Sequence, residues 1–207
     1  MANKKTAYIF LFIFLISCLF VDAALSEEIK KQEEIKSING VKLKYLSGVE
    51  FLTGYGHGRL RYQDGYRLSS IFIDMDFDLK QWKKLKDYPG LLQFIIEPFY
   101  SYVWNPDKNM EIGNNFVIKL GITSQYMKFQ PYLKLSTGFI YITQDTREQS
   151  THFNFNEYLG LGAHYFFKKD IAFTLEYRYR HISNIGIKQP NTGINTNFTI
   201  CGVSFLF

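Results

Sequence analysis

The sequence predicts an all-β fold: an eight-stranded antiparallel up-and-down β-barrel that crosses a membrane. Three observations carry this reading. From about Lys42 onward, apolar and polar residues alternate with period two, the pattern of a strand with two unlike faces. The 207 residues include 20 Phe and 15 Tyr, yet the mean hydropathy is slightly negative, at -0.13. Many aromatics on a polar average suit a wall that is apolar on one side and polar on the other. The chain also opens on a short apolar stretch behind a basic start, and it closes on Phe207.

Residues 1–23 read as a cleavable signal peptide. Lys4 and Lys5 supply the positive start, residues 7–21 are apolar apart from Ser17, and Val21-Asp22-Ala23 offers small residues for cleavage. The apolar core is shorter than the roughly 17–25 residues of a spanning helix. Leu15-Ile16-Ser17-Cys18 also fits a lipidation pattern, but a cysteine in such a core is commonly just a small hydrophobe. Residues 24–41 are charged and poor in hydrophobes, and are expected to form a solvated periplasmic leader. Residues 42–207 are then the outer-membrane barrel.

The strands follow in order. The first sets Val49, Phe51, Thr53 and Tyr55 against Gly48, Glu50 and Gly54. The second sets Ile71, Ile73, Met75 and Phe77 against Ser70, Asp74, Asp76 and Asp78. The third has Leu92, Phe94, Ile96, Tyr100 and Tyr102 opposed to Gln93, Glu97 and Ser101. In the fourth, Ile112, Phe116, Ile118, Leu120 and Ile122 oppose Glu111, Gly113, Lys119 and Gly121. The fifth places Leu133, Leu135, Phe139 and Tyr141 against Tyr132, Lys134, Ser136 and Gly138. The sixth places Phe155, Leu159, Leu161, Ala163 and Tyr165 against Asn156, Gly160, Gly162 and His164. Phe173, Leu175, Tyr177 and Tyr179 face away from Thr174, Glu176, Arg178 and Arg180 in the seventh. The last has Cys201, Val203, Phe205 and Phe207 against Gly202 and Ser204.

An even strand count suits a single-chain bacterial barrel, and a sheet in lipid must close because open edges leave backbone groups unsatisfied. The polar faces carry nearly balanced charge, and an eight-stranded barrel has room only for side chains. A paired ionic interior is therefore expected, not a channel. Periodicity alone does not separate this from a soluble barrel with the faces reversed; the N-terminal segment and Phe207 favour the membrane. With both ends in the periplasm, loops 56–66, 105–110, 145–152 and 184–194 face outward from the cell, and turns at 80–90 and 168–170 face the periplasm.

The net charge of +5 is mild. It is compatible with an anionic lipid surface and too weak to indicate nucleic acid. If Cys18 leaves with the signal peptide, Cys201 stands alone, so neither a disulfide nor a cysteine metal site is expected. His57, His152 and His164 lack ligand-like spacing with carboxylates. A reaction without metal or other cofactor is expected.

One segment carries chemistry. Extending the alternation of the seventh strand puts His181 and Ser183 on its lipid-facing side, close to the cell surface. A histidine and a serine two apart on one face lie within reach of each other, as a base and a nucleophile must. A polar girdle at the membrane interface would place them the same way.

The run from His181 to Ile194, H-I-S-N-I-G-I-K-Q-P-N-T-G-I, closely resembles the C-terminal signature of the PagL lipid A 3-O-deacylase family. The resemblance implies an eight-stranded outer-membrane esterase that removes the 3-position acyl chain of lipid A in lipopolysaccharide by a Ser–His–acid mechanism. It implies Ser183 as nucleophile and His181 as general base, with Asn191 a candidate oxyanion donor. Asn184 and Gly186 would shape the turn, and turn chemistry accounts equally well for Asn184, Asn191 and Gly193. One departure matters: the family's prototype members carry Glu where this chain has Asn195. An amide can hold the tautomer of His181 but brings no charge. If Phe167 pairs with Ile171 at the 168–170 turn, Glu157 falls opposite His181 with both pointing outward, about 5 Å apart at Cβ. Glu157 is therefore a possible substitute acid, whereas Glu176 has lumenal parity. Two other functions stay open: a non-enzymatic structural or surface-binding barrel, and an outer-leaflet phospholipase.

Overall fold

The computed structural model describes residues 46–62, 65–144 and 147–207; the expected signal peptide, leader and first residues of the barrel segment lie outside them. Eight strands run β1 (Leu46–Arg59), β2 (Tyr66–Asp78), β3 (Leu92–Asn105), β4 (Asn109–Gly121), β5 (Phe129–Ile142), β6 (Phe153–Lys168), β7 (Ile171–Ser183) and β8 (Ile194–Leu206). Each pairs antiparallel with its sequence neighbour, and β1 pairs with β8 to close the barrel. Strands of 13 to 16 residues exceed the 9–11 or so that a tilted strand needs to cross a bilayer. Two loops are shorter than the alternation suggested, since β1 runs on to Arg59 and β3 and β4 are joined by residues 106–108 alone, while the β5–β6 loop, 143–152, is longer.

The faces decide which side of the wall meets lipid. Leu135 is 64% exposed, whereas Lys134 beside it is fully buried. The same contrast recurs at Ile118 and Lys119 and at Leu175 and Glu176. A soluble barrel would bury the leucines and expose the lysines. A continuous apolar outer wall around a charged interior has lipid as its solvent.

The interior has two zones. In the half nearer the described ends of the chain, Leu46 and Phe207, the buried charges are paired. Lys119 bridges Glu50 and Asp76, and Lys134 lies 2.7 Å from Asp74 and 3.0 Å from Glu176. At mid-height Arg178 pairs with Glu97 at 2.6 Å and with Glu176. Buried charges need such partners, because desolvation is otherwise uncompensated. The far half is different. Leu68, Phe72, Val103, Ile140, Ile142, Ile182, Ile194 and Phe198 form one buried apolar cluster. The expected paired ionic interior continues into this half, where Arg180 pairs with Glu111 at 2.7 Å and Tyr66 donates to Glu111 at 2.6 Å, but there it is set within an apolar plug.

Candidate active site

Ile182 and Ile194 are buried in that plug. Alternation then turns His181 and Ser183, on either side of Ile182, to the outer wall, and turns Asn195 beside Ile194 the same way. β7 and β8 pair His181 with Asn195, and His181 Nδ1 donates to Asn195 Oδ1 at 2.6 Å. That bond fixes the ring and leaves the lone pair on Nε2. Ser183 lies two residues on along the same face, half-buried like His181. No hydrogen bond among the described residues joins His181 to Ser183 or to Glu157; catalytic contacts often tighten only when substrate is bound.

β6 and β7 pair Glu157 with His181. The turn differs in detail from the expectation: Lys168, not Phe167, faces Ile171, and a bulge between Phe166 and Lys168 restores the register by Phe166 and Ala172. One row of outward side chains therefore runs Arg59, Asn195, His181, Glu157 and Thr137 across five adjacent strands.

Residues 184–193 form a tight turn that closes on His181 at Gly193. Asn184 is fully buried. Its Oδ1 accepts from Gly186 N at 3.0 Å, its Nδ2 donates to Lys188 O at 2.8 Å, and its backbone N donates to Asn191 Oδ1 at 3.1 Å. The side chain of Asn184 is thus spent on the turn. Asn191 has its acceptor occupied, so its remaining polar atom is the Nδ2 donor. Gly193 has φ of +74°, and a Cβ there would overlap the His181 ring at Cε1. Only glycine takes that conformation readily and leaves that space.

A second segment, unforeseen from the sequence, braces the turn. Residues 148–150 lie alongside 190–192, with a bridge between Gln149 and Asn191. Ser150 N donates to Pro190 O, Thr192 N to Glu148 O, and Ser150 Oγ to Lys188 O. Glu148 is buried and accepts from Tyr62 N at 2.8 Å, which ties in the first loop. No residue periodicity announces such a strap, because its bonds are mostly to backbone.

Below the row, a groove of about 500 Å³ lies on the outer wall across β4–β7. His181 and Glu157 line its upper row, and Ile118, Leu135, Leu159 and Tyr179 form the row beneath. A histidine and a serine on the lipid side of a closed barrel, with an apolar groove below the histidine, form an arrangement suited to a membrane-barrel hydrolase acting on a lipid.

Residues 47–204 match the family described as Lipid A 3-O-deacylase (PagL). The chain belongs to that family, and membership makes it an outer-membrane ester hydrolase of the lipid A 3-O-deacylase type. The structure is similar to the outer membrane enzyme PagL, with a TM-score of 0.58 at 18% identity, covering 75% of this chain and 99% of that one. It is equally similar to Neisserial surface protein A, with a TM-score of 0.58 at 14% identity, covering 77% of this chain and 96% of the other. At such identities these two likenesses speak for the barrel alone. No curated protein matches the chain.

Proposed function

We propose that Ser183 attacks the carbonyl carbon of the 3-linked acyl ester of lipid A. His181 Nε2 takes the hydroxyl proton as the bond from Oγ to carbon forms. Asn191 Nδ2 donates to the oxyanion that develops. The bond from carbon to the sugar oxygen then breaks, and Nε2 returns the proton to that leaving oxygen. Water repeats the sequence on the acyl-enzyme, with His181 again as base. The fatty acid leaves, and Ser183 recovers its hydroxyl.

The observation that carries this reading is the 2.6 Å bond from His181 Nδ1 to Asn195 Oδ1, on the same outward face as Ser183. It holds the tautomer in which Nε2 is the base. The lipid-side position supports a lipid substrate, and the groove that His181 lines offers an apolar trough for an acyl chain. Mass spectrometry of lipid A from cells expressing the wild type or Ser183→Ala tests it. One hydroxyacyl chain should be missing from the wild-type sample only. A Ser183→Ala strain with the same deacylated lipid A would rule out Ser183 as nucleophile.

A further inference from the structure

The outward faces of the strands are almost free of charge, and Glu157 is the exception that lies beside the site. Along β6 it sits between Phe155 and Leu159, with Phe153 before and Leu161 and Tyr165 beyond. Among the described strands it is the one outward-facing carboxylate: Glu50, Asp74, Asp76, Glu97, Glu111 and Glu176 are all buried inside. A charge on the lipid side costs stability in proportion to its depth, so a carboxylate alone in this wall calls for a compensating role. Its cross-strand partner is His181, and both line the same groove.

His181 has the complementary deficit. On taking the Ser183 proton its ring becomes an imidazolium, at the edge of lipid. Asn195 holds Nδ1 but is neutral. Arg59, the outward cation of the row, lies beyond Asn195 and does nothing to offset a positive ring. The row therefore reads cation, amide, imidazole, anion, and the anion is on the open flank of the ring.

We propose that Asn195 and Glu157 divide the work that a single acid does in a Ser–His–acid triad: Asn195 fixes the ring from β8, and Glu157 neutralises the imidazolium from β6. Glu157 is a positioning residue in this scheme, acting through His181 and only in the charged state. The proposal rests on the Ser–His reading above.

The test uses the full-length barrel refolded in detergent micelles with purified lipid A, following release of the hydroxy fatty acid. Glu157→Gln keeps the shape and removes the charge. Its kcat should fall about ten- to hundredfold, the effect of one unit charge near 5 Å at intermediate dielectric, with KM unchanged. Asn195→Glu puts the carboxylate on the other flank. In the double variant Glu157→Gln/Asn195→Glu, kcat should return to within a few-fold of wild type, a rescue that a purely structural glutamate would not give. Wild-type kcat in Glu157→Gln, or a double variant as slow as Glu157→Gln alone, overturns the proposal. Ser183→Ala is measured alongside. If it retains activity, the Ser–His reading itself has failed and this proposal falls with it; if it is dead while Glu157→Gln is unimpaired, only the role of Glu157 is lost.

Discussion

Gly193 shows how much of the site depends on single atoms. It has no contact to lend, only the absence of a Cβ where the His181 ring stands. Gly193→Ala must either push the ring off Asn195 or distort a backbone that sits at positive φ, where L-residues pay about 1–2 kcal/mol. We expect kcat to drop about a hundredfold, as ångström-scale misplacement of a catalytic group does. The barrel should stay folded, seen as an unchanged heat-dependent shift on a denaturing gel. Full activity in Gly193→Ala would mean that the ring does not need its present place. At this scale the sequence spoke clearly through parity. His181, Ser183, Asn195 and Glu157 were all assigned to the outer wall from alternation alone. The role of Gly193 was not readable, because it depends on how closely a loop returns over a strand.

Elements supply the rigidity that the residues need. The 184–193 turn hangs from β7 and β8, but its free side is held by the 148–150 strap. Ser150 does two jobs there: its Oγ donates to Lys188 O at 2.9 Å and accepts from Asn184 Nδ2 at 3.3 Å. Ser150→Ala removes both bonds, each worth about 1 kcal/mol. The turn should then be cut faster by added protease, and kcat should fall a few-fold without any change in global unfolding. An unchanged cleavage rate would deny the strap its bracing role. The register of β6 on β7 could be counted from the sequence because the turn is short, and the bulge after Phe166 absorbed the miscounted turn residue. The strap could not be counted, since it joins loops that are distant in sequence through backbone groups that every residue carries.

For the whole molecule, the interior governs stability. Lys134 sits between Asp74 and Glu176 with no exposure at all. Lys134→Met leaves Asp74 buried without its cation and Glu176 with Arg178 alone, which should cost about 3–5 kcal/mol, measured by urea unfolding in micelles or bilayers. A loss below about 1 kcal/mol would show that the lumen admits enough water to solvate them. This ionic half was legible, because Glu50, Asp74, Lys119, Lys134 and Arg178 alternate with apolar neighbours. The plug was not. Near the site end Phe139, Ile140, Tyr141 and Ile142 are apolar on both faces, so periodicity has no contrast with which to mark the inner one.

The plug also decides how traffic reaches the site. Ile182 and Ile194 turn into the packed interior behind it, so the site faces the wall and not the axis. In the proposed reaction the ester comes sideways out of the leaflet, while the water that completes hydrolysis must descend past the 184–193 turn from the aqueous phase. The two reactants enter from different phases and meet only at Ser183, and the freed fatty acid departs along the wall into the membrane. The barrel serves as a solid post standing in the boundary between lipid and solution, and not as a pipe.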